Sequence, residues 1–221
     1  MGETIALTAE DGHSLGAYRA DPARDARGGI VVCQEIFGVN EHIRGVVDRF
    51  AEEGYSVIAP ALFDRVERDL ELGYDEAGVT RGRALKDQVS LDGSLLDIKA
   101  AAGALPGAVA VVGYCWGGTL AWLAATRLSG IACAVCYYGG GIHGFREEHP
   151  RCPVMMHFGE EDAAIPMEHV EDIQEVQFES PIFTYPKAGH GFNCEMRASY
   201  HPDSAATAYQ RTIGLINSVV R

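Results

Sequence analysis

The stretch Ala108-Val109-Ala110-Val111-Val112-Gly113-Tyr114-Cys115-Trp116-Gly117-Gly118 decides the fold. An apolar run ends in a G-x-C-x-G turn, and a helical pattern, Thr119 to Leu128, follows at once. This is a strand, a tight strained turn and a helix, with a thiol at the apex where the G-x-S-x-G frame carries a hydroxyl. Glycines flank the apex because side chains there would collide where strand and helix cross. The helix start behind the turn offers free N–H groups and a positive dipole end, which favour a thiolate. An inert buried cysteine in a glycine-rich turn would read the same way, so groups elsewhere must decide.

Outward from this turn, strand and helix patterns alternate. Thr4–Thr8 and Ser14–Ala20 flank Asp11-Gly12 as an opening hairpin. A strand over Gly29–Gln34 leads to a helix capped by Asn40, with apolar positions Ile43, Val46, Val47 and Phe50 and a stop at Gly54. Tyr55–Ala59 is the next strand, and Leu62–Gly73 reads as an irregular charged loop. Asp75–Leu105 reads as helix broken near Gly93. Strands follow at Ile131–Tyr138, Pro153–Phe158 and Pro181–Tyr185, with helices opening at Pro166 and Asp203. The alternation predicts one α/β domain over residues 1–221, a mostly parallel sheet with helices on both faces and an N-terminal β-hairpin. Reactive groups then belong at the C-terminal ends of strands.

Composition narrows the partners. The chain has 221 residues, 47% of them hydrophobic, enough for a substantial core. Its net charge of −13 argues against nucleic-acid binding and requires local cations wherever an anion is held. No run approaches the roughly 18 apolar residues of a membrane span, and no signal peptide is visible at Met1-Gly2-Glu3-Thr4. Cys33, Cys133 and Cys136 lie in apolar strand-like runs, so the six cysteines read as reduced thiols of a cytoplasmic protein. No metal spacing such as H-E-x-x-H and no nucleotide-binding glycine motif occurs, so neither metal nor cofactor is expected.

Three loops follow strands and carry chemistry. Gly159-Glu160-Glu161-Asp162 follows one, and Ala188-Gly189-His190-Gly191-Phe192 follows the next. Cysteine, acid and histidine thus come in the chain order of α/β-hydrolases. Histidine would take the thiol proton and return it to the leaving group, while the carboxylate fixes the imidazole tautomer. Asp162 is preferred to Glu160 and Glu161 because it opens the Asp-x-x-Ile-Pro segment. Gln34-Glu35-Ile36-Phe37-Gly38-Val39-Asn40 follows the Gly29–Gln34 strand. In this fold that loop supplies one oxyanion-hole N–H, here Ile36, and the residue after the nucleophile, Trp116, supplies the other. Glu35 then lies beside the thiol.

Together these segments resemble the dienelactone hydrolases over nearly the whole chain. The resemblance implies a Cys115-Asp162-His190 triad and a Glu35 carboxylate that engages the cysteine and is displaced when substrate binds. It implies a cofactor-free enzyme, monomeric or weakly oligomeric, acting on a small ester or lactone. Arg81, with Arg83 as the alternative in register, is the expected cation for a substrate carboxylate, and Phe37 and Phe192 are the expected apolar contacts. Leu85 replaces a family tyrosine, and Cys194 stands where the family has a second arginine, which shifts the expected preference toward neutral esters. Two other readings remain: a carboxylesterase or thioesterase for uncharged acyl groups, and a noncatalytic redox-sensing or binding domain with a reactive Cys115.

Overall fold

The computed structural model describes residues 2–220. The chain forms β1 (Glu3–Thr8), β2 (Ser14–Ala20), β3 (Gly29–Cys33), α1 (Glu41–Glu52), β4 (Ser56–Pro60), α2 (Glu76–Lys86) and α3 (Leu91–Gly103). Then come β5 (Val109–Tyr114), α4 (Trp116–Arg127), β6 (Ile131–Tyr137), β7 (Val154–Gly159), α5 (Met167–Val176), β8 (Ile182–Tyr185) and α6 (Pro202–Val219). The eight strands make one sheet in the order β1-β2-β4-β3-β5-β6-β7-β8. β1 and β2 form the expected antiparallel hairpin, β2 pairs antiparallel with β4, and every pairing from β4 to β8 is parallel.

Every residue of β3, β4 and β5 is buried, so both faces of the central sheet are covered. α3 packs on α4 and on β3 and β4 in one layer. In the other, the Phe50 ring of α1 stacks on Tyr209 of α6, and Tyr55 beyond α1 hydrogen-bonds Asn217 of α6. α1 is built as its sequence dictates. Asn40 Oδ1 accepts the Ile43 N–H at 3.2 Å, and Ile43, Val46, Val47 and Phe50 bury one stripe. Burying Ile43 or Phe50 contributes roughly 1.5–3 kcal/mol each.

The expected helix break moves. It falls between Lys86 and Leu91, where the Ser90 hydroxyl caps α3 by accepting the Gly93 N–H, so Gly93 lies inside the first turn. A serine that can cap outweighs a glycine that is merely permissive. The loop after β4 also contains a short 3-10 turn at Leu62–Arg65.

The sheet brings four loop starts to one edge: those after β3, β5, β7 and β8. β3 sits between β4 and β5, so the chain leaves it to one side first and to the other later, opening a crevice at the strand ends. The turn after β5 is the tightest point. A Cβ on Gly113 would lie 1.8 Å from the Gly117 carbonyl oxygen, and one on Gly117 would lie 2.2 Å from the Cys33 carbonyl oxygen. Both obstacles are backbone and cannot step aside. Gly117→Ala should therefore cost on the order of 3 kcal/mol and lower Tm by roughly 6–12 °C in thermal unfolding. Gly45→Ala, at an exposed site in α1 with nothing near the added carbon, should instead raise stability by about 0.5–1 kcal/mol.

Candidate active site

Cys115 occupies the apex between β5 and α4 with φ 55° and ψ −117°, a region L-residues rarely adopt. The turn is tied on both sides. The Cys115 N–H donates to Tyr137 O at 3.0 Å, and the Cys115 carbonyl accepts the Gly118 N–H at 2.9 Å. The thiol therefore projects from the sheet edge instead of into the core.

The residues singled out after β7 and β8 meet it there. His190 Nε2 lies 3.1 Å from Cys115 Sγ, and His190 Nδ1 lies 2.7 Å from Asp162 Oδ2. The other oxygen of Asp162 accepts the Ala164 N–H at 2.8 Å, and its side chain is fully buried. The rival acids turn elsewhere: Glu160 accepts from the Thr184 hydroxyl, and Glu161 is exposed. The Tyr138 ring meets the His190 imidazole edge-on at 5.2 Å, and the Ser199 hydroxyl donates to the His190 carbonyl at 2.6 Å. Burial works against a charged imidazole, but the hydrogen bonds to Asp162 and Cys115 outweigh it and raise the His190 pKa to about 10.

A cavity of about 520 Å³ opens over Cys115 and His190. Ile36 and Trp116 line it, and no hydrogen bond engages the backbone N–H of either among the described residues. Phe37 lines the wall as expected, with Val89, Leu91, Phe145 and Ile165.

Two expected substrate contacts are corrected. Arg81 points away from the cavity and forms a two-pronged pair with Glu67, both distances 2.7 Å. Val79, Arg83 and Lys86, spaced four and three apart, form the α2 stripe that lines the cavity, and Arg81 lies across the helix from them. Phe192 is fully buried among Tyr137, Tyr138 and Tyr185, where it supports the strand ends beneath His190.

Glu35 is also placed differently. It is fully buried, and its partners are Tyr74, whose hydroxyl donates at 3.1 Å, and Arg197, whose Nη1 donates at 3.3 Å. The Cys115 thiol faces His190 instead. Arg197 lies over the rings of Phe37 (5.6 Å) and Tyr74 (5.7 Å) and lines the cavity. Cys194 thus does not leave the site short of a cation, because Arg197 arrives from three residues further on. Sequence reasoning missed Arg197 and Tyr74 as site residues. Both lie in irregular segments where no periodicity assigns a side-chain direction. Lys86 was legible from its spacing to Arg83.

The chain matches the model of the dienelactone hydrolase family over residues 15–220. It is 37% identical over 229 residues to the Synechocystis protein named "Putative carboxymethylenebutenolidase", covering 94% of this chain and 93% of that protein. It is 31% identical over 228 residues to the "Carboxymethylenebutenolidase" of Pseudomonas putida, covering 98% and 96%. The crystal structure of a "Putative Dienelactone Hydrolase" from Klebsiella pneumoniae superposes with a TM-score of 0.83 at 31% identity, covering 96% of this chain and 98% of that one.

The His190–Asp162 pair sets a pH signature. A histidine whose folded pKa of about 10 exceeds its unfolded value of 6.5 adds stability that is complete below about pH 6.5 and lost as pH rises through about 10. The stability excess of the native chain over Asp162→Asn should therefore shrink across that window in denaturant titrations. The His190 ring should titrate at a lower pH in the variant when followed by NMR.

Proposed function

The chain belongs to the dienelactone hydrolase family, and from that premise we propose that it cleaves esters or lactones through a Cys115-His190-Asp162 triad and a thioester acyl-enzyme. It is a hydrolase of carboxymethylenebutenolidase type acting on a small-molecule substrate. The observation that carries the mechanism is the continuous run of contacts from Cys115 Sγ through His190 to Asp162, at 3.1 and 2.7 Å.

His190 holds the thiol proton, so sulfur attacks the carbonyl carbon as thiolate and the carbonyl oxygen becomes an oxyanion. The N–H groups of Ile36 and Trp116 receive that oxygen. When the tetrahedral adduct collapses, the C–O bond breaks and the imidazolium returns its proton to the departing oxygen. Asp162 holds the ring in one orientation throughout and stabilises its charged form. Water, deprotonated by His190, then attacks the thioester and releases the acid and Cys115. A thiolate leaves readily, which suits esters with good leaving groups such as enol lactones. Glu35, held by Arg197 and Tyr74, is the carboxylate that a substrate anion would free by drawing Arg197 toward itself.

Of the cations on the cavity wall, Lys86 is paired with Asp87 and Arg197 with Glu35, while Arg83 has no ion-pair partner among the described residues and supports a substrate that carries a carboxylate. This reading departs from the neutral-ester preference expected from Cys194.

Cys115→Ala and His190→Ala should each remain folded and lose orders of magnitude in turnover of lactones and p-nitrophenyl esters, because the members act as a unit. Full esterase activity in Cys115→Ala would refute the mechanism. Arg83→Ala should lower kcat/KM for carboxylate-bearing lactones roughly ten- to a hundredfold and barely change neutral esters, the loss of one charge-assisted contact being about 1.5–3 kcal/mol. Arg81→Ala should change neither. Equal effects of the two substitutions would overturn the assignment of the α2 face.

A further inference from the structure

Behind the Arg197–Glu35 pair lies a second cluster with no part in the triad. Glu35, His42 and Cys194 each present a ligand atom, and these atoms lie within 4.8 Å of one another. All three side chains are buried. His42 is 4% exposed, and its Nε2 has no hydrogen-bond partner among the described residues, although buried polar nitrogens are normally satisfied. The nitrogen is held there by structure. His42 sits in the first turn of α1, fixed by the Asn40 cap, and its ring meets Tyr114 edge-on at 6.2 Å. The Cys194 backbone is equally pinned, its N–H donating to Gly191 O at 2.9 Å and its carbonyl accepting the Arg197 N–H at 3.1 Å.

We propose that Glu35, His42 and Cys194 form a site for a divalent cation of zinc type, and that filling it inhibits the enzyme. One imidazole nitrogen, one thiolate sulfur and one carboxylate oxygen are the mixed donor set that a tetrahedral, borderline-soft ion selects over calcium or magnesium. Donor atoms around such an ion stand about 3.5 Å apart, so closure needs side-chain movements of roughly 1 Å. On binding, the Cys194 thiol gives its proton to solvent as the metal–sulfur bond forms, His42 donates its Nε2 lone pair, and Glu35 exchanges the Arg197 guanidinium for the metal. Water fills the fourth position. Arg197 lines the cavity over Cys115 and holds Glu35, so a movement of its side chain is the entry route the ion requires. The inhibition rests on the role proposed above for Glu35, since a metal-bound carboxylate can no longer respond to a substrate anion through Arg197. The binding does not rest on it.

Cys115 and His190 could themselves capture a metal, so binding is tested in Cys115→Ala. Cobalt(II) titrated into that variant should bind at one equivalent with a sulfur-to-cobalt charge-transfer band. The band should vanish when Cys194→Ser or Cys194→Ala is added, and His42→Gln should weaken binding at least roughly tenfold. The two changes at Cys194 differ in polarity and size, so loss of folding in one leaves the other usable. Absence of the band in Cys115→Ala, or its survival without Cys194, overturns the site. In the otherwise native chain, zinc should inhibit esterase turnover reversibly to chelator, and Cys194→Ser should keep basal activity while needing at least roughly tenfold more zinc. Equal zinc sensitivity in Cys194→Ser would place the inhibition at Cys115 and His190 and overturn the regulatory half. Cobalt binding without zinc inhibition would overturn that half too, together with the role of Glu35, and would leave the triad untouched.

Discussion

The whole site hangs on one backbone constraint: Cys115 held at positive φ between two glycines that nothing larger can replace. The turn brings the start of α4 against the β3 end so closely that the Gly117 Cα faces the Cys33 and Gln34 carbonyls. Ile36 is only two residues beyond Gln34, and Trp116 is one residue beyond the apex, so the approach that excludes a side chain also brings both residues to the cavity wall. Strain at such a turn persists only when its surroundings over-determine it. Here they do: β5 is buried throughout, and every residue of α4 from Trp116 to Thr126 is buried.

Two buried carboxylates flank that turn, and their surroundings separate their roles. Asp162 is satisfied by a backbone N–H and an imidazole, so its charge is spent on orienting His190. Glu35 is held by a tyrosine hydroxyl and a guanidinium that also borders the cavity. That guanidinium is the one cation paired with Glu35 among the described residues, and it holds the carboxylate in the interior, where an unpaired charge is costly. Tyr74 extends this pair outward. Its hydroxyl accepts from Asn40 Nδ2 at 3.0 Å, and Asn40 Oδ1 caps α1. The helix start and the Glu35 carboxylate thereby share one hydrogen-bonded run.

Sequence made the sheet and the meeting of Cys115, Asp162 and His190 legible for identifiable reasons. Apolar runs ending in Gly113, Gly159 and Tyr185 mark strand ends, and the alternation of elements forces those ends to one edge, so Cys115, Asp162 and His190 had to converge. Direction along irregular backbone has no such rule. Arg197 lies seven residues past His190 in a loop of turns, and only the path of that loop brings it over Phe37. Arg81 was misjudged for a different reason. The resemblance points to the region of Arg81 and Arg83 without fixing a helix face, whereas the helical repeat places Arg83 with Val79 and Lys86 on one stripe and Arg81 on another. Phe192 differs because adjacency to His190 says nothing about which side of the backbone a ring takes; its neighbours are three buried tyrosines.

The position of Arg197 shows how the charge on Glu35 is met in this chain. A cation near Glu35 is needed to hold its charge in the interior, yet the position four residues after His190 holds Cys194, fully buried. Arg197 meets the need from another point of the chain because its guanidinium is long enough to cross the Phe37 and Tyr74 rings while keeping one N–H on Glu35. The aromatic faces favour the cation where solvent is scarce. The electrostatic requirement is thus fixed by the buried carboxylate, while the residue that fulfils it can shift along the loop. Position 194 is thereby free to hold a thiol, whose sulfur lies within 4.8 Å of the ligand atoms of His42 and Glu35, where an arginine would have placed a cation.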